Sequence, residues 1–146
     1  MSGPANNQDL NRLLIDLGRS LLQYVGECWP WTSSTSSAQT KLEGLVEQQR
    51  AGVGKLFELL NHRGYTVDFG AYPTEYTDLH YCALSFLLKE LIEEASESSQ
   101  EIASIRATCA GDPEAAALLD ELAADERKLL GELKALAGST ASGAAA

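Results

Sequence analysis

Residues 64–72 read Gly64-Tyr65-Thr66-Val67-Asp68-Phe69-Gly70-Ala71-Tyr72, and how they are read decides the fold. They contain the chain's only β-rich run, Tyr65 to Phe69, which glycine and Pro73 interrupt on either side. A run this short, with nothing else of strand character to pair with, predicts an all-α fold. Nine extended residues span roughly 30 Å, nearly the length of a helix of about 20 residues at about 1.5 Å per residue. The stretch can therefore run the length of a helical bundle and set the helices before and after it parallel. An up-and-down bundle needs only a few residues at this place, so the spacing predicts a four-helix bundle with a long crossover between its second and third helices.

Working outward, four segments carry helical periodicity. The first, from about Gln8 to Cys28, puts Leu10, Leu13, Leu14, Leu17, Leu21, Tyr24, Val25 and Cys28 on one stripe, with Arg12, Asp16, Arg19 and Gln23 opposite. Pro30 stops it, Trp29 and Trp31 are read as a lid on one end of the core, and Thr32 to Ser37 supply a loop and candidate caps. The second helix runs from about Ala38 to His62, with Gly64 as its C-terminal stop. The third begins near Pro73 or Thr74 and extends toward Arg106. The fourth opens on Asp112-Pro113-Glu114, a cap followed by a first-turn proline and acid, and ends at Gly138. A disordered start over 1–7, a bundle over 8–137 and a low-complexity tail over 138–146 are expected.

Charge and composition exclude several functions. The 146 residues carry 21 acids and 11 bases, a formal charge of −10. Residues 1–74 hold seven acids and six bases and residues 75–146 fourteen and five, so the second half is the acidic one. A nucleic-acid partner is not expected, because phosphates need clustered Lys and Arg. Neither is a membrane span, which takes about 20 consecutive apolar residues. The opening MSGPANNQDLNR lacks the basic start and apolar centre of a secretory signal, so a cytoplasmic protein is expected. Cys28, Cys82 and Cys109 are isolated and odd in number, and are read as reduced.

Periodicity sends four polar residues inward: Gln49, His80, Ser98 and Glu126. Buried polar groups must be hydrogen-bonded, so these are read as a satisfied layer that fixes helix register, with a bond between Gln49 and Glu126. His80, among Tyr76, Tyr81 and the crossover aromatics, is read as a hydrogen-bonded structural group. Cys82 lies two residues from His80 and points away from it on a helix, so no nucleophile and base are paired. Glu90, Glu93, Glu94, Glu97 and Glu101 place like charges at i,i+4 spacing three times. This acidic seam is read as a solvated face, the alternatives being basic residues of a neighbour or bound cations.

Helical hairpins joined by one long crossover resemble the ferritin-like superfamily, to which bacterioferritins and rubrerythrins belong. The resemblance spans about residues 8–137. Its local echoes are Leu45-Val46-Glu47-Gln48-Gln49-Arg50 and Leu122-Ala123-Ala124-Asp125-Glu126-Arg127-Lys128-Leu129, similar to the acidic run before the metal-binding histidine of that superfamily. The resemblance implies a carboxylate-bridged di-iron centre with a Glu from each of two helices and a Glu-x-x-His pair from each of the others. This chain has no Glu-x-x-His: Glu47 is followed three residues on by Arg50, Asp125 by Lys128 and Glu126 by Leu129. The expectation is a non-enzymatic bundle with no metal cofactor and a degenerate metal site, serving in homo-oligomerisation or protein-partner binding. The alternative is a ferritin-like oxidoreductase or iron-storage protein that holds iron or another divalent metal through Glu90, Glu94, Glu126 and His80. A bundle binding a small apolar ligand beneath Trp29 and Trp31 is a third reading.

Overall fold

The structure, a computed structural model, describes residues 4–27, 36–79 and 84–145. Among these residues there are five α-helices and no strand: α1 (Pro4–Gly18), α2 (Leu21–Glu27), α3 (Ser36–His62), α4 (Leu84–Ala107) and α5 (Pro113–Ala145). A short 3₁₀ helix over Thr74–Leu79 precedes α4. The Trp29–Pro30–Trp31 lid, Cys28, and the stretch holding His80 and Cys82 lie outside the described residues.

Two apolar clusters fix the directions of the helices. One joins Leu21 and Val25 of α2, Leu42 and Leu45 of α3, Leu88 and Leu91 of α4, and Leu129 and Leu133 of α5. The other joins Leu10 and Leu14 of α1, Leu56 and Leu60 of α3, Ile102 and Ile105 of α4, and Leu119 and Leu122 of α5. Chain numbers rise from the first cluster to the second along α3 and along α4, so these two helices run the same way. They fall along α5 and along the α1–α2 pair, which run the opposite way.

The link between α3 and α4 makes the parallel arrangement feasible. Gly64, at φ +74°, closes α3 in a left-handed turn in which Tyr65 N–H reaches Leu60 O and Gly64 N–H reaches Asn61 O, a Schellman cap. The chain then runs along α1. The Asn11 amide clamps Asp68, donating to its carbonyl at 2.7 Å and accepting from its N–H at 2.9 Å. Arg19 Nε donates to Phe69 O. Gly70, at φ +66°, passes so close that a Cβ there would lie 2.6 Å from Ile15 Cγ2, which fixes the identity of that residue twice over. Tyr65 and Val67 pack at one end of the core, and Tyr72 stacks edge-on against Tyr24 at the other.

Four boundaries differ from the periodicity reading. The helix read as Gln8–Cys28 is two helices, broken at Arg19–Ser20. The break restarts the register, so Gln23, placed on the polar face by a continuous 100° repeat, is buried in α2. Helix α1 begins at Pro4, inside the segment expected to be disordered. The third helix is preceded by the separate 3₁₀ turn. Helix α5 continues through Gly138 to Ala145: Gly138 is not among the left-handed glycines, so it does not stop the helix.

Candidate functional site

The most polar part of the interior lies where the α1–α2 break meets α3, α4 and α5. Broken helices expose backbone N–H groups, and those at the start of α2 are taken up locally. Ser20 is its N-cap, its Oγ accepting from Gln23 N–H at 3.3 Å. The N–H of Leu21 is bound from another helix, by Glu94 Oε1 on α4 at 2.7 Å. The other oxygen of Glu94 accepts from the Tyr76 hydroxyl at 2.8 Å, so one half-buried carboxylate ties α2, α4 and the 3₁₀ turn together.

From Ser20 a hydrogen-bonded chain crosses the core. Ser20 Oγ donates to Gln49 Oε1 at 2.8 Å, and Gln23 Nε2 donates to the same oxygen at 3.1 Å and to Val46 O at 2.9 Å. Gln49 Nε2 in turn donates to Glu126 Oε1 on α5 at 3.5 Å, a long and therefore weak contact. Glu126 Oε2 has no hydrogen-bond partner among the described residues. Glu126 also borders a cavity of about 10 Å³, with Leu17, Gln49, Gly52 and Leu122 in its wall, room for about one water molecule.

The electrostatics follow from this geometry. Burial pushes the Glu126 carboxyl up, the single Gln49 amide offsets this only partly, and the charges of Glu94 and Asp125 add to it, so it titrates at about 7. Burial likewise raises Glu94, though Tyr76 and the Leu21 N–H pull the other way. Tyr76 is itself raised, by burial and by the Glu94 charge. Among the described residues no basic side chain bonds to this layer. It is a set of carboxyls and amides sharing hydrogen bonds.

The residues singled out from sequence are only partly brought together. Gln49 and Glu126 meet in the layer. Ser98 is buried one turn beyond Glu94 on α4, and with Glu94, Glu97 and Glu101 it lines a surface cleft rather than joining the Gln49–Glu126 bond. Glu94 enters the layer through Leu21 and Tyr76, whereas Glu90 is half-buried two turns from Glu97 along the same helix. The acidic seam is thus not one solvated face: Glu94 turns inward and Glu101 is half-buried, because the link and α1 cover that side of α4. His80 lies outside the described residues. Among the described residues no three His, Cys, Asp or Glu side chains converge as a metal ion requires.

Sequence reasoning missed Ser20 and Gln23, although Ser20-Leu21-Leu22-Gln23 has the Ser-x-x-Gln spacing of a capping box and would have located the break. It also missed a buried ion pair at the far end of the core. There Arg63 Nη2 bonds Asp112 Oδ1 at 2.6 Å and Arg63 Nη1 bonds Asn7 Oδ1 at 2.9 Å. Asp112 also caps α5 through Ala115 N–H. Comparison with protein-family models, with curated proteins and with solved structures finds no match. Any functional reading therefore rests on this chain's own geometry.

Proposed function

We propose that the chain is a non-enzymatic helical bundle of ferritin-like arrangement, acting in the cytoplasm as an association module that pairs with a second copy of itself through α5. The helix directions and the flanking link support the ferritin-like arrangement. A polar layer whose side chains bond one another, where a metal-bearing relative would present ligands, supports a non-enzymatic role. Cytoplasmic placement is supported by Cys109, a buried free thiol.

The observation that carries the association reading is the outward face of α5. Ala117, Ala124 and Gly131 recur every seven residues and all are exposed. A Cβ on Gly131 would meet nothing within 4 Å, yet glycine inside a helix costs about 1 kcal/mol relative to alanine. Glu121 and Lys128 flank this row on one side, Asp120 and Arg127 on the other. Arg127 and Lys128 have no ion-pair partner among the described residues. Two α5 helices packed antiparallel about Ala124 set Ala117 against Gly131, Lys128 beside Glu121 and Arg127 beside Asp120, each pair occurring twice by symmetry. Small residues let the two backbones approach closely, and the charges fix the register.

Sedimentation velocity over a wide concentration range tests this. A dimer is expected that weakens as salt is raised toward about 0.5 M, where exposed charge pairs are screened, and that Ala124→Glu abolishes by placing two like charges face to face. A wild type that stays monomeric at every concentration overturns the pairing. The alternative, a metal-binding oxidoreductase or iron-storage relative, draws on one observation, the unpartnered Oε2 of Glu126 facing the charge of Glu94. Elemental analysis after expression with added iron decides it: two irons per chain would replace the non-enzymatic reading.

A further inference from the structure

Asp16 of α1 and Glu101 of α4 meet across the seam between the two helices, and their carboxyls share a hydrogen bond. Ionised carboxylates only accept, so a bond between two of them requires one proton held by the pair. The surrounding groups do not replace that proton. Arg12, one turn back on α1, acts on Glu101 but is paired with Asp9. Arg19 lines the same cleft but donates to Phe69 O and lies over the Tyr72 ring at 5.0 Å. From α4, Glu94 and Glu97 add negative charge. From the 3₁₀ turn come the Tyr76 hydroxyl, which donates to Glu94, and the charge of Glu75.

What the pair fastens is more than one helix, because the link rides on α1. Asn11 holds Asp68 through two hydrogen bonds, Arg19 holds Phe69 O, and Gly70 lies directly on Ile15. This unit of α1 and link has a pivot at each end. One is the α1–α2 break, after which Leu21 N–H is bound by Glu94. The other is the 3₁₀ turn, where Tyr76 is bound by the second oxygen of Glu94. Glu94 anchors both pivots to α4, and the Asp16–Glu101 pair fastens the span between them. Behind that seam lie Leu13 and Leu17 of α1 and Ile102 and Ile105 of α4, all in one apolar cluster.

We propose that the proton shared by Asp16 and Glu101 is a latch that holds α1, with the link lying on it, against α4, and that rising pH loosens it. Without the proton two carboxylates face each other beside Glu94 and Glu97, with the neighbouring arginines bonded elsewhere, and like charges push α1 away from α4. The opening is local. Helix α2 stays bound to Glu94 through Leu21 N–H, and the apolar cluster that joins α2 to α3, α4 and α5 contains no residue of α1.

The direction and window of the effect follow from the same groups. Burial raises the Glu101 carboxyl, the Asp16 carboxyl bonded to it raises it further, and Arg12 offsets only part, so it titrates at about 8. With α1 swung away, Glu101 returns toward the ordinary 4.5. The closed form thus keeps a proton that the open form loses across the neutral range. The latch holds in full below the ordinary value, weakens as pH rises, and is exhausted once pH has passed about 8.

Amide hydrogen exchange of the full chain, followed by NMR with each rate divided by that amide's intrinsic rate, reads the latch. Opening at residues 12–18 of α1 should grow by up to about tenfold per pH unit between about pH 5.5 and 7.5, well beyond any change in α2, and level off above about 8. Asp16→Asn and Glu101→Gln each keep a hydrogen bond across the seam through an amide donor that does not titrate. Both should leave α1 protected and bring its pH dependence down to that of α2, and either alone suffices if the other fails to fold. Glu47→Gln, an exposed site on α3, should behave as the wild type. Three results would overturn the proposal. One is α1 protection that does not change with pH, as when Arg12 swings from Asp9 to neutralise the pair. Another is an equal change in α1 and α2, and the third is wild-type pH dependence retained in both seam variants.

Discussion

Two buried carboxylates at opposite depths of the same core behave in opposite ways. Asp112 is raised by burial, but the Arg63 guanidinium and the Ala115 N–H outweigh this and hold it below the usual carboxylate range. Among the described residues Glu126 receives one long amide hydrogen bond and no cation, and it is pushed up to about 7. Both residues are buried, at 3 % and 5 % exposure, but the Glu126 carboxyl lies deeper in the core than the Asp112 carboxyl, so the two differ in depth as well as in partner. A partner that supplies positive charge or a backbone donor at short range keeps it ionised, and a shared amide does not.

The largest effect is expected where the carboxylate faces a cation. Arg63→Met leaves Asp112 buried without its cation and should cost roughly 3–5 kcal/mol in chemical denaturation. A loss below about 1 kcal/mol would mean that the two acids are held alike and the contrast is false. The next test is pH. Glu126 titrates higher folded than unfolded, so the folded chain keeps a proton that the unfolded chain has already lost. Stability should therefore fall as pH rises from about 4.5 to about 7, by on the order of 2–3 kcal/mol. Glu126→Gln should make that slope shallower, leaving the part that the raised Glu94 and Glu101 carboxyls contribute. Asp112 has the reverse sign: its contribution is present above its ordinary 3.8 and disappears as pH falls through its lower folded value. The two together place maximal stability near the ordinary carboxylate range, and a flat profile between pH 4.5 and 7 would break the account of Glu126.

Smaller changes sharpen the comparison within the polar layer. Gln49→Leu removes the acceptor of the Ser20 hydroxyl and the amide donor to Glu126, leaving Gln23 its bond to Val46 O, and should cost roughly 1–3 kcal/mol, whereas Glu126→Gln should be neutral or stabilising at pH 8. Thermal melts showing the opposite ranking would remove the layer as a structural unit. Tyr76→Phe deletes one donor to Glu94 and should cost about 1 kcal/mol. It should also raise the Glu94 titration further, readable by NMR of the Glu94 carboxyl carbon.

The helical class, the buried stripes of α3, α4 and α5 and the Asp112 cap were legible in the sequence, because each is local: apolar spacing near 3.6 residues and cap chemistry depend on neighbours a turn away. Gln49 and Glu126 were legible for the same reason, as polar residues inside apolar stripes. The break at Ser20 was written there too, as a Ser-x-x-Gln box, but a continuous 100° repeat hid it. The inward turn of Gln23 and the role of Glu94 were decided only by the tertiary structure. Glu94 is one acid among five on its helix, and it enters the core because the α1–α2 break, on a helix brought alongside, leaves the Leu21 N–H in need of an acceptor. The Arg63–Asp112 pair and the cleft of Asp16, Ser98 and Glu101 likewise join residues 49 or more apart in the chain. Sequence determines what each residue must do locally, and which distant group meets that need is set by packing.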